Sequence, residues 1–140
     1  MVALEESAGA ALFAQRAASP QLEEFMTISM YDLSVPVFLN GMKALSKILD
    51  KAEANAAERK INPQVFVAAR LAPDMLALPN QIQIATDHAK GACARLSGQT
   101  PPRVEDGETS LADLRARLEK TCDYIAGLSR DQFAGAESRT

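Results

Sequence analysis

The sequence predicts an all-α fold, a bundle of amphipathic helices within a chain of 140 residues. Aliphatic residues and alanine dominate, tryptophan is absent, and there are only two tyrosines and five phenylalanines. This balance suits close-packed helices better than sheets. Apolar residues also recur at spacings of three and four along three long segments, which is the period of a helix face. A chain of this length buries about two thirds of its unfolded surface, so it needs no metal or disulfide to fold.

The first long helix is predicted over residues 33–58. Ser34 or Asp32 is expected to cap its start, and Pro36 to fall in the first turn, where its missing N–H costs little. The apolar stripe that predicts this helix consists of Phe38, Met42, Leu45, Leu49, Ala52 and Ala56, and Ile48 widens it.

A short helix is predicted next, over residues 63–70. Asn62 followed by Pro63 is typical of a cap and a first helical position. Pro73 then stops this helix, because a proline disfavours helical backbone in the residue before it.

The second long helix is predicted over residues 75–97. Asp74 or Asn80 is expected to open it, with Pro79 in or before its first turn, and Gly98 to end it. The stripe that predicts it consists of Ile82, Ala85, Ala89, Ala92 and Leu96.

The third long helix is predicted over residues 110–128, after a loop that contains Pro101, Pro102 and Gly107. Ser110 and Asp113 have the spacing of a capping box. The stripe consists of Leu111, Leu114, Leu118, Cys122 and Ile125. Residues 129–140 are expected to be loose, with Phe133 as their only anchor.

The start of the chain differs from the rest. We interpret residues 1–25 as an N-terminal extension, helical over residues 4–17, and residues 26–140 as the bundle domain. The extension carries four glutamates against Arg16 and so contributes the whole net charge of −3. The balanced remainder holds no concentrated basic surface of the kind that nucleic acids require, so we expect no nucleic-acid partner.

The sequence also indicates where the protein resides. It has no apolar run near the ~20 residues that span a bilayer, and no secretory signal, so we expect no membrane partner. Cys93 and Cys122 are not spaced as a zinc pair or a redox motif, and two cysteines are too few for a disulfide scaffold. Both are expected to be small apolar side chains in a protein of the reducing cytoplasm.

Five blocks of the chain carry a resemblance to a known family. They are Met30-Tyr-Asp-Leu-Ser-Val-Pro-Val-Phe38, Leu71-Ala-Pro-Asp-Met75, Gln81-Ile-Gln-Ile-Ala85, Ala89-Lys-Gly-Ala92 and Glu105-Asp-Gly-Glu-Thr109. With these blocks the chain closely resembles an uncharacterised family of the DinB/YfiT-like four-helix bundles, over about residues 26–138. The resemblance implies a DinB-like up-and-down bundle.

The resemblance also implies that a final helix, which closes the bundle in family members, is lacking here. An unclosed face must then be covered by residues 4–17 or by a second chain. Our leading hypothesis is a non-catalytic bundle that acts through self-association, as a homodimer. A shortened product with no independent role is a further possibility.

The alternative hypothesis is a small-molecule-binding protein, or a metal- or thiol-dependent enzyme related to the DinB/YfiT-like transferases. Its pocket would be formed by Tyr31, Arg70, Asp74, Gln81 and His88. In the superfamily, three histidines hold a divalent metal. This sequence has one histidine, whereas zinc or nickel needs three or four ligands, so we expect no metal and no cofactor.

Four of these residues also have an ordinary structural interpretation. Asp74 is expected to cap a helix and pair with Arg70, and His88 to lie at the boundary between core and solvent. Tyr31 is expected to staple the start of the first helix. Lys90 and Gly91 are expected to be a solvated lysine and a close helix crossing.

Overall fold

The structure is a computed structural model that describes residues 29–139. Those residues form only helices and connections, with no strand, which confirms the predicted all-α fold class. The elements are α1 (Met30–Arg59), α2 (Gln64–Ala68), α3 (Leu78–Leu96) and α4 (Leu111–Ala126), followed by 3-10 turns at Arg130–Phe133 and Ala136–Ser138. The predicted extension at 1–25, with its helix at 4–17, lies outside the described residues.

Helix α1 begins three residues earlier than the sequence predicts. Ser29 is its N-cap, and the Ser29 hydroxyl accepts a hydrogen bond from the Asp32 backbone N–H at 3.2 Å. The predicted caps at Ser34 and Asp32 are therefore wrong, because both residues lie inside the helix. Pro36 consequently lies beyond the first turn. The predicted end is confirmed, since Lys60 adopts a left-handed backbone conformation directly after Arg59.

The caps of α2 and α3 were predicted with mixed success. The N-cap of α2 is Pro63, one residue later than predicted, although the side-chain oxygen of Asn62 does accept from the Gln64 N–H at 3.0 Å. The N-cap of α3 is Ala77, whose methyl side chain cannot accept a hydrogen bond. The predicted caps Asp74 and Asn80 are therefore wrong. Asp74 lies instead in a turn that the Met75 N–H closes onto the carbonyl of Ala72.

Glycine ends α3 as predicted. Gly98 has a φ of 72°, a conformation that favours glycine. The Gly98 N–H donates to the carbonyl of Arg95, and the next N–H, from Gln99, donates to that of Ala94. These bonds satisfy carbonyls that the helix end leaves open.

Specific contacts hold the start of α4 and the segment that follows this helix. Ser110 and Asp113 form the predicted capping box. After α4, Phe133 and Ala136 are both buried. The Arg139 guanidinium donates to three backbone carbonyls, one of them that of Leu96 at the end of α3. The expectation of a loose tail anchored by Phe133 alone is therefore wrong.

The three long helices pack around one apolar core. Each contributes a buried row at helical spacing, and the core also includes Cys93, which is fully buried, whereas Cys122 is half-buried. The main buried side chains are Val35, Met42 and Leu49 of α1, Ile82 and Ala89 of α3, and Leu111, Leu114, Leu118 and Ile125 of α4. The rows confirm the predicted stripes only in part, because Phe38, Leu45 and Ala52 of α1 and Ala85, Ala92 and Leu96 of α3 are only half-buried.

Contacts between the helices establish their directions. Arg115 near the start of α4 pairs with Asp50 and Glu53 of α1, and Arg130 just after α4 pairs with Asp32, so α1 and α4 are antiparallel. Arg117 contacts Thr86, and Tyr124 contacts Gln99.

Helices α3 and α4 are therefore parallel, and the connection at residues 97–110, here called the crossover, runs back along the bundle. This order departs from a strict up-and-down sequence of helices, although the bundle class is confirmed. Among the described helices, none is long and apolar enough to cross a membrane.

Beside the core, α1 and α3 carry a second pair of apolar rows that are only half-buried. We call these rows the open seam: Phe38, Leu45 and Ala52 of α1, and Leu78, Ala85 and Ala92 of α3. Each row repeats every seven residues, so its members share one helix face. Val37, Ile48 and Ile84 on the same two helices are about half exposed.

Candidate functional site

A dense cluster of polar contacts centres on Arg117 of α4. Arg117 lies three residues after Leu114 and four before Thr121, and both of these neighbours are buried. Its own side chain therefore points into the molecule, and only 1% of it is exposed. A buried guanidinium must find partners for its donors, because an unpaired buried charge is costly.

All three side-chain nitrogens of Arg117 have such partners. Nε donates to the Thr86 hydroxyl at 2.8 Å, and Nη2 donates to Asp87 Oδ1 at 2.9 Å. Nη1 donates to Glu108 Oε1 at 2.8 Å and lies 2.9 Å from Asp106 Oδ1. It also donates to the backbone carbonyl of Glu105 at 3.3 Å. The guanidinium thus joins α3, α4 and the crossover.

Two further side chains extend this cluster. Gln83 donates to Glu108 Oε2 at 2.7 Å, so both oxygens of that carboxylate are bonded. Lys90 Nζ lies 2.7 Å from Asp87 Oδ1. Lys90 is buried, so the prediction that this lysine is solvated is wrong. The predicted close crossing at Gly91 is also wrong, because an added Cβ there would meet only the side chain of Arg95.

These contacts shift the ionisation of the carboxyl groups. Desolvation by itself would raise the pKa of Glu108, but the hydrogen bonds from Arg117 and Gln83 outweigh it and hold the pKa at about 2, against an ordinary 4.5. Desolvation likewise opposes ionisation of Asp87, yet Lys90 and Arg117 lower its pKa. The Arg117 pKa is raised, because Glu108 and its other acidic neighbours outweigh desolvation. Asp87, Glu108 and Arg117 are therefore charged at neutral pH.

The charges of the cluster determine what it can do. Two cations, Arg117 and Lys90, face three carboxylates, of Asp87, Asp106 and Glu108. The excess is one negative charge, and every nitrogen of Arg117 is engaged, so the cluster does not suit a phosphate or carboxylate ligand. Its contacts instead hold the crossover onto α3 and α4. A groove of about 520 Å³ lies over it, lined by residues 103–108 and part of α4.

Two of the residues predicted to form a pocket come together elsewhere. Arg70 and Gln81 line a groove of about 330 Å³, here called the α2 groove. The rest of its lining is apolar: Ile48 and Ala52 of α1, Phe66, Ala69 and Leu71 from α2 and the residues after it, and Leu78 of α3. The groove lies at the end of the open seam, with which it shares Ala52 and Leu78.

The structure does not bring the other predicted pocket residues to this groove. Tyr31 lies 17 residues before Ile48 on α1, which is about 25 Å along the helix. Its ring packs edge-on against Phe133 with centroids 5.3 Å apart, and Arg130 lies over it at 5.1 Å. His88 lines a separate groove with Ile84, Asp87 and Arg95. Asp74 is exposed and, among the described residues, neither caps α3 nor pairs with Arg70.

The described residues hold no group of three or more histidine, cysteine, aspartate or glutamate side chains arranged to bind a metal ion. Neither cysteine has the features of an activated nucleophile. Burial raises the pKa of Cys93 to about 11, and it raises that of Cys122 as well. A thiol must lose its proton to attack, and these environments oppose that loss.

The helical architecture described above defines the class of this protein, a DinB-like helical bundle. The chain is similar to the crystal structure of a DinB family member protein from Shewanella denitrificans, with 45% sequence identity and a TM-score of 0.73. The similarity covers 76% of this chain and 61% of that protein, so the chain spans less than two thirds of that relative's length.

Residues 30–140 match the family of the domain of unknown function DUF1993, and the chain belongs to that family. The predicted membership of an uncharacterised DinB-like family is thus confirmed. No curated protein matches the chain.

Proposed function

We propose that the protein is a non-catalytic helical bundle that acts through self-association, as a homodimer formed through the open seam. The observation that carries this proposal is the seam itself. Six apolar side chains in two rows, at seven-residue spacing on neighbouring helices, are each only partly buried at the edge of the core. Helix faces with this spacing normally pack against another helix.

The physical argument is the gain from covering those rows. Burial of apolar surface contributes roughly 25 cal/mol per Å², and the exposed parts of Val37, Ile48 and Ile84 would add to the area already in the seam. A second copy presents the same rows, and a two-fold axis brings them together in an isologous contact. The seam is thus complementary to itself.

Charge and composition support two accompanying proposals. The net charge of −3 and the saturated arginine cluster favour a protein partner over nucleic acid. We also place the dimer in the cytoplasm, where both cysteines, which are free, would stay reduced.

Sedimentation equilibrium of the full chain tests the proposal. The wild type is expected to be dimeric at tens of micromolar, and Val37→Asp is expected to weaken the dimer by tenfold or more. Each interface would then contain two buried, unpaired carboxylates, and every 1.4 kcal/mol of cost corresponds to about tenfold in affinity. Val37 suits this test because it is exposed in the single chain and lies outside the α2 groove.

Val65→Asp is the matched control. Val65 is exposed to 57%, against 59% for Val37, but it lies on α2, where a carboxylate in the first turn is tolerated. Its dimer should be as tight as that of the wild type. A monomeric wild type at high concentration, or equal weakening by both variants, would contradict association through the seam.

A further inference from the structure

The α2 groove combines an apolar wall with an exposed arginine, Arg70, which has no side-chain partner among residues 29–139. Its volume of about 330 Å³ is at the lower end of the range of small-molecule sites, roughly 300 to 1,000 Å³. Val67, which is buried, holds α2 against the core, so the wall has a fixed support. The groove is therefore large enough for a short apolar chain.

The two polar side chains of the groove, Gln81 and Arg70, differ in their hydrogen-bond partners. Gln81 Nε2 already donates to the carbonyl of Leu76 at 2.8 Å, which fixes the amide in place. Arg70 makes no hydrogen bond or ion pair with another residue of the described part of the chain. A guanidinium is shaped to bind a carboxylate with two parallel hydrogen bonds.

The surface around the groove favours an amphiphilic occupant. Leu71, which lines the groove, is 90% exposed, and Ile48 on the opposite wall is 55% exposed. Large apolar side chains in water at a concave apolar site are typical of a binding surface. An apolar chain would cover these side chains, while Arg70 would neutralise an acidic head group.

We propose that the α2 groove binds a free medium-chain carboxylate, with the hydrocarbon chain along the apolar wall and the carboxylate on Arg70. This site does not depend on self-association. Because the groove shares Ala52 and Leu78 with the open seam, the ligand and a second copy would compete there. Binding is therefore measured both on the wild type and on Val37→Asp.

The experiment is a calorimetric titration of the full chain with three probes of equal chain length: decanoate, decanol and decylammonium. Decanoate is expected to bind saturably at one site per chain, about tenfold more tightly than decanol, which is the contribution of about one charge-assisted hydrogen bond. Decylammonium is expected to bind more weakly still. Arg70→Gln should reduce decanoate binding to the level of decanol.

Two further variants complete the design. Arg103→Gln removes an exposed arginine outside the groove and should leave all three affinities unchanged. Ala69→Trp places a large ring at an exposed lining position and should abolish binding of every probe, with unchanged helical circular dichroism. Equal affinities for decanoate and decanol, or no effect of Arg70→Gln, would overturn the proposal. Decanoate binding to a chain that is monomeric throughout would support this site while refuting the dimer.

Discussion

At the scale of single residues, Glu108 couples ionisation to folding. Desolvation opposes its charge, but hydrogen bonds from Arg117 and Gln83 lower its pKa from an ordinary 4.5 to about 2. Since the pKa is lower in the folded chain, the stabilisation is fully present above pH 4.5 and is lost as the pH falls towards 2. The shift corresponds to about 3 kcal/mol at neutral pH.

Glu108→Gln is therefore expected to lower the free energy of unfolding by about 2 to 3 kcal/mol at pH 7, and by less than half of that at pH 3. Urea unfolding at the two pH values measures the difference. Asp106→Asn is the control: Asp106 also contacts Arg117, but its side chain is 58% exposed, so its effect should stay below about 1 kcal/mol. An equal loss of unfolding free energy at both pH values would show that the carboxylate charge does not provide the stabilisation.

The residues that the sequence predicted well are those with local partners. The capping box of Ser110 and Asp113 spans three residues, and Gly98 bonds within its own turn. Arg117 was missed because most of its partners lie far away along the chain, at Thr86, Asp87 and the crossover. The available signal was a charged residue on the apolar face of a helix, together with an acidic loop that needed a cation.

At the scale of elements, an aromatic contact is one of the anchors of the C-terminal 3-10 turns. Phe133 is buried and packs edge-on against Tyr31. Phe133→Ala is expected to lower the free energy of unfolding by about 3 to 4 kcal/mol, because it leaves a cavity beside α1. Urea unfolding measures this change.

Leu71→Ala provides the comparison for Phe133→Ala. It also removes a large apolar side chain, but one that is 90% exposed, so it should change stability by no more than about 0.5 kcal/mol. If Phe133→Ala were equally mild, the 3-10 turns would not be fastened to the bundle through this ring.

The long helices were predictable because their stripes are long, and the shorter features were less so. The end of α1 was predicted to within one residue, whereas its start was displaced because Ser29 caps the helix and Ser34 does not. Residues 129–139 have no apolar period, so their order could not be predicted. It arises from burial of Phe133 and from the bonds that Arg139 makes to carbonyls of other segments.

At the scale of the whole molecule, the sequence predicted the helices but not their directions. The crossover, residues 97–110, can extend over about 45 Å, which exceeds the length of α3, about 28 Å. Either a parallel or an antiparallel α4 was therefore sterically possible. The contacts of Arg117 with α3 and with the crossover favour the parallel arrangement, and they depend on the tertiary structure.

The predicted pocket illustrates the same limit. Arg70 and Gln81 both line the α2 groove, together with residues of α1, α2 and α3. Tyr31 belongs to the opposite end of α1, and His88 lies further along α3 in another groove. The five residues that the sequence predicted to share one pocket therefore lie in separate parts of the fold.

Self-association through the open seam would also couple stability to concentration. If the folded dimer unfolds to two separate chains, each tenfold increase in protein concentration raises the dimer's stability by about 1.4 kcal/mol and the Tm by about 2 to 3 °C. Scanning calorimetry of the wild type from micromolar to hundreds of micromolar measures this slope. Val37→Asp should have a Tm that depends on concentration only at the upper end of this range, and Val65→Asp should retain the wild-type slope. A flat wild-type profile would mean that the seam stays open to solvent in a folded, stable monomer.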